Sequence, residues 1–136
     1  MLQCSAEQMQ RIGNDVFRGR LRSSLARNDK DFAAMPYDDR QTFVIDCHEQ
    51  ATRLGLLTEQ GVAAYAIGAL WLGLDFEMAS PLLQSLLQTS IPEARKVHAM
   101  SDWVHHQLGP SATPQSGDAA LRRSFGQTVN WGVHGP

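Results

Sequence analysis

Apolar residues recur along the chain at three- and four-residue steps, the period of a helix buried along one stripe. Met9, Ile12 and Val16 continue into Phe17, Leu21 and Leu25, and this stripe predicts a first helix that stops at Asn28-Asp29. Ser5-Ala6-Glu7-Gln8 reads as a capping box, whose hydroxyl and amide can satisfy the free N–H groups that open a helix. Gly13 and Gly19 each weaken this helix by about 1 kcal/mol relative to alanine, so packing has to hold it. Phe32 to Met35 suits a short turn before Pro36, whose fixed φ and missing N–H fit the first turn of the next helix. There Asp38 and Asp39 meet the positive end of the helix dipole. Phe43, Val44, Cys47, Ala51 and Leu54 form a second buried stripe, which Gly55 closes.

Thr58 is the N-cap of a third helix with Glu59 just inside it. Its apolar residues, from Val62 through Tyr65, Ile67, Leu70 and Trp71 to Leu72, cover nearly the whole circumference, which predicts a helix engulfed in the middle of a bundle. Gly61, Ala64 and Gly68 lower its bulk so that neighbours can approach closely. After Gly73 and a connecting segment, Ser80-Pro81 restarts a helix carrying Leu82, Leu83, Leu86 and Leu87. A last helix opens at Ser90-Ile91-Pro92-Glu93, read as a second capping box, and presents Val97, Met100, Val104 and Leu108 before Gly109-Pro110. No alternating β-branched run and no internal repeat appears. The expected fold is all-α, a compact bundle of about five helices over residues 1–109. An irregular Pro-, Gly- and Ser-containing tail over 110–136, with one weakly helical patch at Asp118 to Phe125, is expected to follow.

At 136 residues the chain suits one core rather than two undersized ones. Apolar residues at 43% and charged residues at 19% allow enough burial to offset chain entropy. The formal charge of −2 supplies no basic footprint for a phosphate backbone, so nucleic acid is not an expected partner. The arginines at 11, 18, 20, 22 and 27 are interrupted by Glu7, Asp15 and Asp29 and read as a solvated helix face that could still meet an acidic protein. Cys4 and Cys47 read as free thiols. The start Met1 to Ser5 lacks the basic and apolar regions of a secretory signal, and the apolar run at 62–74 covers about 13 residues where a spanning helix needs roughly 20. A cytoplasmic location without a membrane span is expected.

Asp46-Cys47-His48-Glu49 holds residue types used by zinc sites and nucleophiles, but consecutive helical residues cannot converge on one point. Completion would need His98, His105 or His106, and His98 and His105 stand seven apart where a zinc pair on one helix wants three or four. Cys47 falls on the core stripe, where a thiol is inert. With no phosphate-cradling glycine loop, Gly-x-Ser-x-Gly elbow or His-Glu-x-x-His motif in view, the chain is expected to be no enzyme and to need neither cofactor nor metal. The remaining candidates are apolar side chains expected at the surface: Trp103, one position off the stripe, and Leu121, Phe125 and Trp131 on the tail. These residues either bind a partner or fold back on their own domain.

The stretch from Arg53 to Tyr65, followed by Leu72-Gly73-Leu74-Asp75-Phe76-Glu77, resembles small helical accessory proteins encoded beside effectors, PAAR proteins and chaperones of bacterial type VI secretion systems. The likeness extends over about residues 37 to 108, with Pro81 and the segment from Ala94-Arg95 to Trp103 fitting loosely. Glu77 and Met78 stand where that pattern has an aspartate and a small polar residue. The resemblance implies an adaptor or co-chaperone that holds an effector, or the effector's chaperone, before loading. An immunity protein that neutralises a cognate toxin is the alternative, for which a strongly charged face would be expected. No catalytic residue is carried over.

Overall fold

Short polar side chains, proline and glycine cut the chain into helices near the positions the pattern predicts. The computed structural model describes residues 6–125, with side chains over 13–124. Seven α-helices and one 3-10 turn make up the described residues, with no strand: α1 (Ala6–Asn28), α2 (Lys30–Ala34), α3 (Tyr37–Arg53), α4 (Glu59–Leu72), the 3-10 turn (Phe76–Ala79), α5 (Pro81–Leu87), α6 (Glu93–Gln107) and α7 (Ser116–Phe125). The two helices beyond the expected five are α2 and α7. In α2, the Asp29 carboxylate accepts the Phe32 N–H at 2.8 Å and Phe32 is buried, so a cap and one anchor convert the expected turn into a helix.

α1 buries Phe17, Leu21 and Leu25, whereas Val16, expected on the same stripe, is 55% exposed. Adjacent helical positions diverge by about 100°, so a helix that faces the core with Phe17 turns Val16 outward. The capping box and the side chains of Met9 and Ile12 lie outside the described residues. α3 buries Val44, Cys47 and Ala51 as its stripe predicts. Its end is made by Gly55 at φ 84°, across which the Leu56 N–H returns to the Ala51 carbonyl at 2.9 Å, and Leu56 drops into the core.

α4 packs against α3 and α6, with α1 along another side. Its small residues are used as the sequence suggests: a Cβ on Gly68 would lie 2.8 Å from the Phe76 ring and 3.1 Å from Val104. The helix is not engulfed, however. Ile67 is 41% exposed and Trp71 56% exposed, because α3, α6 and the 3-10 turn cover only the face of Val62, Tyr65, Ala66 and Ala69, and α1 leaves the rest open. No helix among the described residues is long and apolar enough to cross a membrane.

Glu93 departs from the expected capping box. Pro92 stands at the N-cap of α6 without a side-chain cap, and the Glu93 carboxylate instead accepts from the Leu57 and Thr58 N–H groups, each at 2.9 Å, and from the Thr58 hydroxyl. It thus ties the start of α6 to the start of α4. Burial pushes this carboxyl's pKa up, but those hydrogen bonds and the nearby Lys96 charge outweigh it and hold it below the usual value.

Helical packing continues past Gly109-Pro110, the expected boundary of the domain. α7 lies on α6 and α5, and Ala120 and Leu121 are buried. Its close approach depends on Gly117, where a Cβ would fall 2.5 Å from the Trp103 indole. Gly117→Ala is therefore expected to destabilise the protein by about 1–3 kcal/mol through overpacking. Urea unfolding followed by tryptophan fluorescence measures this, and an unchanged midpoint would mean that α7 does not press on Trp103.

Candidate functional site

Two of the four residues that the sequence marked for partner binding, Trp103 and Leu121, are interior. Trp103 is 2% exposed and Leu121 0% exposed. Their expected exposure is corrected because α7 folds back over α6: the Trp103 indole is covered by Gly117 and stacks on Phe76 at a ring separation of 6.0 Å. The side chain of Phe125, and Trp131 altogether, lie outside the described residues.

Asp118 fastens α7 in place. Its Oδ1 accepts the Trp103 Nε1–H at 2.8 Å and the Ser80 hydroxyl at 2.6 Å, while Ser80 Oγ accepts the Leu83 N–H at 3.0 Å as the N-cap of α5. One carboxylate thus joins three helices. The sequence holds no sign of this, since Asp118 alone reads as an acidic residue in a first helical turn.

A second buried polar group was equally hidden. Glu77 is fully buried, with Oε1 accepting the Tyr65 hydroxyl and Oε2 accepting the Gln50 amide, both at 2.7 Å. The Tyr65 oxygen in turn accepts the Asp75 N–H at 3.1 Å. Burial first, then the hydrogen bond to Glu77 and its charge, raise the Tyr65 pKa. The phenol stays protonated and donates. Gln50 is half-buried, whereas Tyr65 and Glu77 are fully buried, and the arrangement joins α3, α4 and the 3-10 turn.

The candidates for chemistry are separated and occupied. Cys47 is completely buried, and burial first, then the Asp46 and Asp75 charges, push its thiol up to about 12, so it is not a thiolate near neutral pH. His48 sits edge-on to Phe17 at 5.4 Å, and its Nδ1 accepts a hydrogen bond from Arg18 Nε at 2.9 Å. That contact requires a neutral ring carrying its proton on Nε2. Burial, then the Arg18 charge, lower the His48 pKa, with Glu49 opposing. His48 lines a depression with Gly13, Asn14 and Thr58, whereas His105 and His106 line another with Gly109, Ala119 and Arg123. Among the described residues, no group of three or more His, Cys, Asp or Glu side chains is placed to hold a metal ion.

The feature that does present itself to solvent is apolar. Ile67, Leu70 and Trp71 of α4 face Ser24, Leu25 and Asn28 of α1 across a cleft of about 460 Å³. Sequence reasoning missed it because a helix apolar all round gives no indication of which side its neighbours leave uncovered. Other exposed apolar residues, such as Tyr37, Leu57 and Leu108, do not line this cleft. No protein-family model, curated protein or solved structure matches the chain.

Asp118→Ala should leave the Trp103 N–H without its acceptor and cost about 1–3 kcal/mol. Hydrogen exchange across residues 116–124 reads this as lost protection in α7, with Asp118→Asn, which keeps an acceptor oxygen, losing less. His48 gives a pH dependence of definite sign. Its folded pKa lies below the ordinary 6.5, so on acidification the unfolded chain takes up the proton first and stability falls as pH drops below about 6.5. Comparing urea midpoints of the wild type and His48→Gln over this range, the wild type should lose more, and parallel curves would contradict it.

Proposed function

We propose that the protein is a non-enzymatic, protein-binding accessory factor, and that it serves as an adaptor or co-chaperone for a type VI secretion effector or the effector's chaperone. The observation that carries the binding role is Trp71, a large aromatic left more than half exposed beside Ile67 at the mouth of an apolar cleft. Tryptophan is enriched at binding hot spots because one side chain offers a large, rigid contact area. The groups with catalytic potential point the same way: the Cys47 thiol is buried and protonated, and burial, then the Arg18 charge, lowers the pKa of His48, whose Nδ1 accepts from Arg18. The effector-related role rests on the resemblance carried by Arg53 to Tyr65 and Leu72 to Glu77. Much of that stretch builds the α3–α4 corner and the Tyr65–Glu77 contact, so it supports a shared framework more directly than a shared partner. On this reading the protein acts in the cytoplasm, before its cargo is loaded.

The test is co-expression of the full chain with a type VI effector and chaperone encoded beside it, followed by size-exclusion chromatography. A stable complex with the effector, the chaperone or both, in which the effector keeps its toxic activity, is expected. No complex with either would overturn the accessory role. A complex that abolishes toxicity would replace it with immunity.

A further inference from the structure

We infer that the hollow between the end of α6 and α7 binds a phosphate group and takes up a proton as it does so, a role separate from the accessory function proposed above. The turn that sends the chain back from α6 assembles the site. Because α7 lies against α6, Arg123 reaches the same hollow of about 370 Å³ as His105 and His106, which Ser111 and Ser116 also line. No carboxylate lines it. Arg123 is exposed and makes no hydrogen bond or ion pair with the described residues, so its guanidinium is open to a ligand. The two imidazole rings stand 5.6 Å apart, edge to face. Two helices thus bring to one hollow three side chains that are cationic or become so.

The His106 ring couples the site to protons. Its Nδ1 lies 2.9 Å from the Asp102 carbonyl oxygen, which can only accept, so Nδ1 carries a hydrogen. In the neutral ring Nε2 then holds a lone pair, which repels an anion. A second proton makes Nε2 a donor and charges the ring, a change that imidazole undergoes between about pH 5 and 8. The Asp102 carboxylate, 3.5 Å from Nδ1, favours the charged ring from outside the lining of the hollow. The other charged or titratable neighbours are His105 on α6 and Arg123 on α7. Neither α5, packed on both helices, nor the connecting residues 108–115 carry a charge. On α4 the one carboxylate, Glu59, stands at the opposite end, where Thr58 meets Glu93. Phosphate suits this hollow because its three terminal oxygens can meet three donors approaching from different sides, whereas a carboxylate offers two oxygens in one plane. Hydrogen bonds from guanidinium and imidazolium to such oxygens are charge-assisted and about twice as strong as neutral ones.

The test is a titration of the full chain with inorganic phosphate, read by proton NMR of the imidazole C2–H signals, which His105→Gln and His106→Gln assign. Saturable shifts of these two signals are expected, with binding roughly tenfold tighter at about pH 6 than at about pH 8. Phosphate takes up its own second proton at about pH 6, which opposes this trend but is outweighed by two charging rings. Arg123→Ala should weaken binding about tenfold, and Arg123→Lys, which keeps the charge, should recover part of it. Arg123 is exposed, and matching circular dichroism melts establish that its variants fold. A phosphoserine peptide separates the sources of the group: tighter binding than inorganic phosphate supports a phosphorylated partner, and equal or weaker binding supports the free ion. No saturable shift, an equal response to acetate at matched ionic strength, affinity indifferent to pH, or no effect of Arg123→Ala overturns the assignment.

Discussion

The buried phenol of Tyr65 sets the condition that the rest of the fold meets. α4 can pack against α3 and α6 only by burying the face that carries Val62, Tyr65, Ala66 and Ala69, and that face includes one hydroxyl. An unpartnered hydroxyl there would cost on the order of 1–3 kcal/mol, a large share of a domain's net stability. Glu77 supplies the acceptor and Gln50 occupies its second oxygen. The left-handed turn at Asp75, φ 65°, is fixed by the same group, since the Asp75 N–H donates to the Tyr65 oxygen. The 3-10 turn that follows then brings Phe76 between Tyr65 and Trp103, with ring separations of 5.0 and 6.0 Å. A single polar requirement in the core thus positions the aromatic stack.

That stack leads to the second polar fastening. Burying Trp103 calls for an acceptor for its indole N–H. Asp118 arrives from α7 and satisfies it, along with the Ser80 hydroxyl. Residues beyond Gly109-Pro110 therefore complete the core rather than trail from it. The consequence for function is a relocation. Once Trp103 and Leu121 are interior, Trp71 is the exposed tryptophan among the described residues.

Helix positions and ends were largely legible in the sequence. Thr58 and Ser80 cap helices, Gly55 and Gly73 close them with positive φ, and the stripes of Phe17, Leu21 and Leu25 and of Val44, Cys47 and Ala51 face the core. These depend on contacts within a few residues, which local spacing encodes. The inert character of Cys47 followed from the same periodicity. Only the tertiary structure decided where Glu93, Glu77 and Asp118 direct their carboxyl groups, because their partners lie 12 to 38 residues away. It also decided which side of α4 stays open. A helix apolar on every side can be covered from any direction, so the exposure of Trp71 and Ile67 is set by how much of that surface its neighbours reach, a quantity that no spacing of residues along one chain contains.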